Sequence, residues 1–264
     1  MDKKAILKHI TDAGERILFA KVLDLVLFAT KRREPQFSDF MDMAKCRRFA
    51  EYLQSERGVS IMIFGGGDAL ERCIIGMFPD GTEPSEEAFP IVGVSIEKKS
   101  QKFGQKDLSH RDYLGSILGL GIDRSKIGDI LLTNNGDAIC FVKEDMASYI
   151  CASLEQVSRT RVVVSEKQVS DVLIPKRIQE KRVTVASLRL DAVLGEAFSL
   201  SRGKAQNLVS GEKVNVNWSL QTNTSYTLKE GDMVSARGFG RFLVGTIGGQ
   251  TKKGRVGLTL EMYI

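Results

Sequence analysis

Residues 187–218, SLRLDAVLGEAFSLSRGKAQNLVSGEKVNVNW, decide how this chain is read. Leu190, Val193, Leu194, Ala197 and Phe198 fall at i, i+3, i+4, i+7 and i+8, which makes one apolar stripe along a helix. Ser201 stands where a second helix needs its N-cap, and Ala205, Leu208 and Val209 keep the helical spacing. Gly211 occupies the position of a left-handed C-terminal cap. A strand follows, with Val214 and Val216 on one face and Lys213, Asn215 and Asn217 on the other.

The cations in this stretch are placed against expectation. Arg202 and Lys204 fall in the first turn of the second helix, where the macrodipole favours acids. A helix start also presents unpaired backbone N–H groups to an anion. Arg189, at the start of the first helix, repeats the pattern. A basic face that merely meets solvent is the competing reading of any charge run. Two helices that both carry cations against the dipole favour a phosphate site.

Several fixed spacings agree at once with a known module. Arg189-Leu190-Asp191, Leu200-Ser201-Arg202, Ala205, Gly211 and Val214-Asn215-Val216-Asn217 resemble the alpha-L RNA-binding motif, the small domain named after ribosomal protein S four. Lys229-Glu230-Gly231-Asp232 with Met233-Val234 is similar to the turn and strand that close it. The usual Gly after the last Asn is Trp218 here, so the turn chemistry departs from the pattern. Two readings of Trp218 stay open, a packing residue or a base-stacking surface.

Charge distribution points the same way. The chain of 264 residues carries a formal charge of +5, yet residues 176–264 hold 14 Lys and Arg against 7 Asp and Glu. The first 175 residues hold 24 against 26, so all the excess positive charge sits in the last third. That asymmetry suits a polyanion partner at this end. A hydrophobic share of 42% and a charged share of 27% describe an ordinary globular chain, and the length suits two or three domains. The apolar run 22–29 is interrupted by Asp24 and too short to span a bilayer, so no membrane partner is expected. MDKKAILKHI lacks the features of a signal peptide, and Cys46, Cys73, Cys140 and Cys151 form no C-x-x-C pair. Reduced core cysteines in a cytoplasmic protein are expected, with no metal and no cofactor.

Working back to the N-terminus, residues 3–30 read as a helix with Ile6, Ile10, Ile17, Leu18, Leu23, Val26 and Leu27 inward, and with Gly14 as a point of interruption. Lys31-Arg32-Arg33 suits its C-terminus. A second helix is predicted over 43–55 and a strand over 59–64. Gly65-Gly66-Gly67-Asp68 follows. It lacks G-x-G-x-x-G and any Lys-Ser/Thr, so it reads as a tight turn and not as a phosphate loop. A strand over 72–78 completes this part.

Strands over 89–96, 127–132, 138–142 and 161–164, with helices over 110–118 and 144–156, give the order βαββαβ. Asn134-Asn135-Gly136 is the hairpin signal between the middle strands. The third strand offers only Phe141 where RNA-recognition modules place stacking aromatics. Residues 165–182, charged and containing Pro175, read as a connecting segment. Further strands are predicted over 224–228 and 233–237, and a hairpin over 242–247 and 256–262 with a basic tip at Lys252 and Lys253.

The expected fold is α+β in three parts: an N-terminal α/β domain over 1–86, a ferredoxin-like or RNA-recognition-like plait over 87–168, and an alpha-L RNA-binding domain over 183–264. Enzyme signals fail. His110-Arg111-Asp112 lacks the Asn of a kinase catalytic loop, since Ile117 holds that position. Residues 249–256 lack the Lys-Ser/Thr of a P-loop, and His9 and His110 are too few for a His-based centre. Asp191 reads as the partner of a basic neighbour that it orients. The RNA-binding set expected from the residues is Arg182, Arg189, Arg202, Lys204, Lys213, Asn215, Asn217, Lys252 and Lys253, with no catalytic residue.

Over nearly its full length the chain also resembles the bacterial YlmH family, through Phe37-Ser38-Asp39-Phe40-Met41-Asp42, Phe64-Gly65-Gly66, Val185-Ala186-Ser187-Leu188-Arg189-Leu190-Asp191 and Arg237-Gly238-Phe239-Gly240-Arg241. The resemblance implies a cytoplasmic, non-catalytic RNA-binding factor that engages the large ribosomal subunit; the sequence does not fix the oligomeric state, and a monomer is expected. There it would meet obstructed peptidyl-tRNA, bind rRNA and tRNA, and support rescue and C-terminal tailing of the stalled chain. Two other classes remain: an rRNA- or tRNA-modification enzyme or its accessory, and an interaction protein of cell division.

Overall fold

A computed structural model of the chain describes residues 7–8, 10–53, 58–67, 70–99, 108–133, 135–172, 178–250 and 254–263. The protein is α+β and divides into two compact units, Met1–Ile174 and Pro175–Ile264.

The first unit opens with α1 (Ala13–Arg32). Asp12 caps it by accepting the Glu15 N–H at 2.7 Å, so the described helix starts ten residues later than the sequence reading, and Gly14 lies in its first turn. Phe19, Val22, Leu23, Val26 and Ala29 are buried. Ile17 was expected inward but is 65% exposed, because it falls outside the i, i+3, i+4, i+7 stripe that starts at Phe19. Ile6 and His9 lie outside the described residues. Arg33, in the left-handed region at φ 56°, ends the helix and donates its N–H to the Ala29 carbonyl.

Strands β1 (Gln36–Phe37) and β2 (Met41–Asp42), helix α2 (Met43–Leu53), and strands β3 (Val59–Phe64) and β4 (Arg72–Pro79) follow. β1, β2 and β3 all pair antiparallel with β4. The odd side chains of β4, Cys73, Ile75 and Met77, pack with α1 and α2, where Phe19 stacks on Phe49 at 4.4 Å.

The plait is β5 (Ile91–Lys98), α3 (His110–Leu118), β6 (Ile127–Leu132), β7 (Ala138–Lys143), α4 (Glu144–Ser153) and β9 (Thr160–Lys167), with a short β8 (Gln156–Val157) at the edge. Its antiparallel order is β6-β7-β5-β9-β8, the arrangement that the βαββαβ pattern predicts. Val92, Val94, Ile96, Cys140 and Val142 face α3 and α4. Asp112 of His110-Arg111-Asp112 is a cap, accepting the Ser109 N–H at 2.8 Å and its hydroxyl at 2.6 Å.

The other face of the plait is covered from within the same unit. Ile139 and Phe141 of β7 meet Phe40, Phe64, Ile74, Phe78 and Phe89 in one cluster, so the two sheets pack face to face between two helical layers. Phe141 has no exposure at all. A Cβ at Gly66 would sit 2.5 Å from its ring, and Gly66 has φ +103°. The glycine turn is thus a tight bend pressed on an aromatic ring; Asp68 lies outside the described residues.

The second unit holds β10 (Ile178–Val185), α5 (Leu190–Ala197), α6 (Arg202–Ser210), β11 (Val214–Val216), β12 (Ser219–Leu220), β13 (Met233–Ala236), β14 (Gly240–Gln250) and β15 (Val256–Tyr263). The sheet runs β10-β15-β14-β13-β11-β12, and Leu190, Val193, Leu194, Ala205 and Val209 of the helices pack against Val214, Val234, Phe242 and Leu258.

Two predicted features change here. The connecting segment 165–182 is structured at both ends: residues 165–167 complete β9, and β10 pairs with β15 from Ile178↔Tyr263 to Val185↔Val256. Charged outward residues hid that strand; its pairing partner supplies the ladder. Residues 173–177 with Pro175 lie outside the described set. The stretch 224–228 forms no strand, only an isolated bridge from Thr227 to Arg189.

Candidate nucleic-acid interface

The site is built on the α5–α6 pair of the second unit. The chain entering α5 is pinned by backbone bonds Leu190 N–H to Tyr226 O, 2.8 Å, and Leu228 N–H to Leu188 O, 2.9 Å. This fixes Arg189 as the N-cap residue of α5. Two residues on, within the first turn, lies Asp191, a carboxylate with no solvent exposure. It accepts Arg189 Nε and Nη2 at 3.0 Å each and Gln206 Nε2 at 3.0 Å, with Arg202 Nε at 3.8 Å. The Arg189 hydrogen bonds, ahead of the cost of burial, hold the Asp191 carboxyl below its ordinary range, and the same bonds raise Arg189. Asp191 therefore stays ionised and orients a cation, as its place beside Arg189 in the sequence implied.

α6 starts as predicted. Ser201 Oγ accepts the Lys204 N–H at 3.4 Å, and the first turn contains no acid. Arg202 is 73% exposed by side chain, and Lys204 is exposed beside it. Cations at a helix start repel the dipole and cost stability. Arg189 and Arg202 both approach one buried carboxylate, and the exposed Lys204 lies two residues after Arg202 in the same first turn. The arrangement gives an anion two guanidinium groups, an ammonium group and a helix N-terminus at once.

The remaining predicted residues lie elsewhere. Lys213 is exposed past the far end of α6, a helix of 9 residues and so about 13 Å long. Gly211 is not the left-handed cap; its φ is −85°, and Glu212 takes φ 57°. A Cβ at Gly211 would approach the Asn207 carbonyl to 2.7 Å, and this close contact accounts for the glycine. Arg182 stands on β10, 86% exposed by side chain. Asn215 is half-buried on β11. Lys252 and Lys253 lie outside the described residues.

Asn217, expected as an RNA contact, is a half-buried turn residue. With Trp218 it links β11 to β12 at φ 50° and 64°, the two positive values a type I′ turn requires. Its side chain is spent inside the protein: Nδ2 donates to Asp232 at 2.8 Å, and Oδ1 accepts the Met233 N–H at 3.0 Å. Gln206, which completes the Asp191 cluster, escaped the sequence reading, although it lies four residues after Arg202 on the same helix face. Phe141, the aromatic that the third strand of the plait offers, is fully buried beneath Gly66. Among the described residues no cluster of His, Cys, Asp and Glu could hold a metal ion. No described helix is long and apolar enough to cross a membrane.

A helix pair that gathers cations over a six-stranded sheet defines an RNA-binding protein of the alpha-L class. The S4 domain profile matches residues 188–234, and a profile described as "Putative RNA-binding domain in YlmH" matches residues 84–171. The chain is 32% identical over 248 residues to "Ribosome-associated protein quality control protein P2" of Bacillus subtilis (strain 168), covering 94% of this chain and 95% of that protein. It belongs to the YlmH family. A solved structure, "Cell division protein ylmH from Streptococcus pneumoniae", shares its fold at a TM-score of 0.52 with 17% identity, over 62% of this chain and 96% of the other.

Proposed function

We propose that this protein is a non-catalytic factor of ribosome-associated quality control that holds structured RNA through the α5–α6 pair. The observation that carries this reading is the Asp191 cluster, in which a buried carboxylate aims Arg189 and lies 3.8 Å from the exposed Arg202. Such an arrangement serves binding and positioning. It contains no nucleophile and no acid–base pair suited to chemistry on a nucleotide. The name of the Bacillus subtilis relative, at 32% identity over nearly the whole chain, supports the ribosomal setting. In that setting the protein binds rRNA of the large subunit, meets the obstructed peptidyl-tRNA, and supports rescue and tailing in the cytoplasm as a monomer. A role in division enters only through the name of a structural neighbour that is 17% identical, a likeness of fold alone.

The test is co-sedimentation of the full chain with purified large subunits across a salt series. The wild type should pellet at low salt, and Arg189→Ala with Arg202→Ala should weaken binding and flatten the salt dependence. Unchanged affinity and slope in the double variant would refute the site. Turnover of a modified nucleotide by the purified protein would refute the non-catalytic reading.

A further inference from the structure

One sequence feature of the second unit is not used by the Asp191 cluster: Arg237-Gly238-Phe239-Gly240-Arg241, the hairpin tip between β13 and β14. Phe239 is 46% exposed, whereas Phe242, three residues on, is fully buried. The exposed ring is held in place. Its N–H bonds Ala236 O at 3.0 Å, Arg237 N–H bonds Lys213 O at 2.8 Å, and Phe198 backs the ring at a centroid distance of 5.8 Å. Phe198 in turn sits edge-on to Phe242 at 5.7 Å, which anchors the stack in the core. Gly238 turns the chain at φ +86° with nothing within 4 Å of a Cβ position, so one side of the tip is clear.

The charges around the ring indicate what it meets. Arg237 and Lys213 are both exposed, and neither forms an ion pair among the described residues. Arg241 lies over the Tyr263 ring at 5.0 Å and is already committed. An exposed aromatic ring, with Arg237 two residues before it in the same tip and Lys213 joined to that tip by a backbone bond, suits a nucleotide, with its flat base and its phosphates. Phe198 also leads, four residues on, into Arg202, so the hairpin tip adjoins the connection that carries the cation cluster.

We infer that Phe239 is a stacking platform for an unpaired base of the bound RNA, with Arg237 and Lys213 on the neighbouring phosphates. This rests on the RNA-binding reading above and adds a preference for loops or bulges over continuous duplex. The experiment uses the full chain with a synthetic RNA stem-loop bearing 2-aminopurine in the loop, and a blunt duplex of the same length. Phe239→Ala should lose about tenfold in affinity for the stem-loop and abolish the fluorescence quenching, since one stacked base contributes about 1–3 kcal/mol. Its affinity for the duplex and its thermal midpoint should not change, and Phe239→Trp should restore stem-loop binding. Equal loss on stem-loop and duplex, or no loss on either, overturns the platform. So does weakened binding to large subunits with unchanged stem-loop affinity, which would place a protein on the ring. Arg202→Ala with Lys204→Ala, run in parallel, separates the two ideas: if that variant keeps its salt slope the RNA site itself fails, and if only Phe239→Ala is silent the platform alone fails.

Discussion

The carboxylate of Asp191 meets the guanidinium of Arg189 through two bonds of 3.0 Å, and the acid has no solvent exposure while the base keeps about a third of its own. A buried acid of this kind is a fixed mount for a half-exposed cation. Two of the five guanidinium N–H groups make these bonds.

That mount leaves a pH signature. The folded Asp191 carboxyl lies below its ordinary value, and an unfolded aspartate titrates near pH ~3.9. Its contribution is therefore complete above about pH 4 and is lost as pH falls through the lower folded value. Asp191→Asn should unfold at lower urea than the wild type at pH 7, and the gap should narrow below pH ~4. A gap that stays constant down to pH 3 would mean that Asp191 is not held ionised by Arg189.

Stability and binding should move in opposite directions at the start of α6. Arg202 and Lys204 oppose the dipole in a first turn that contains no acid. Replacing both with Ala relieves a dipole repulsion of about 0.3–1 kcal/mol per site and gives up the 3.8 Å pair of Arg202 with Asp191, so stability should stay equal or rise slightly. The same change should lower RNA affinity and reduce the log–log salt slope by about one unit per lost phosphate contact. Chemical denaturation and a salt titration on one preparation would read both. A loss of stability together with an unchanged slope would return these residues to the role of solvated surface.

The sequence was most legible where local rules act alone. The α5–α6 spacing, the Ser201 cap and the plait order all follow from periodicities of 3.6 and 2 and from turn signals, which need no partner to be read. It was least legible where a distant strand decides the outcome. β10 looks like a charged linker until β15 pairs with it, and Ile17 looks inward until Phe19 sets the phase of the buried stripe. Within the site, the cations were visible by their place in the helix, but Gln206 was not, because its role depends on how α6 lies against Asp191.

The glycine turn offers a test of structure without function. Gly66 has φ +103°, and a methyl group there would overlap the Phe141 ring at 2.5 Å. Phe141 sits between two packed sheets and has little room to yield. Gly66→Ala should cost about 3 kcal/mol from overpacking and backbone strain together. Its RNA affinity, measured at a temperature where the variant is folded, should match the wild type. A variant that keeps its stability but loses RNA binding would turn the bend into a phosphate loop after all.

Asn217 is the residue on which sequence and structure differ most. Its position after Val-Asn-Val suggests an exposed polar contact, yet its amide closes the β11–β12 turn from both sides, on Asp232 and on the Met233 N–H. Asp232 is itself buried and accepts the Lys229 N–H at 2.8 Å, so the three groups form one small network. Asn217→Ala removes both bonds and leaves at φ 50° a residue that tolerates the left-handed region less well than Asn does. About 3 kcal/mol is expected, from a charge-assisted bond, a neutral bond and left-handed strain. Asn217→Gly keeps the backbone and loses only the bonds, so it should fall between Ala and the wild type. Asn217→Asp sets a second carboxylate against Asp232 and should be as harmful as Ala. Asn215→Ala, two residues earlier and half-buried, should cost less than any of them. Urea midpoints of these four variants give the ranking. If Asn217→Ala instead proved stable and lost RNA affinity, the amide would be facing RNA, and the turn would be held by something other than these bonds.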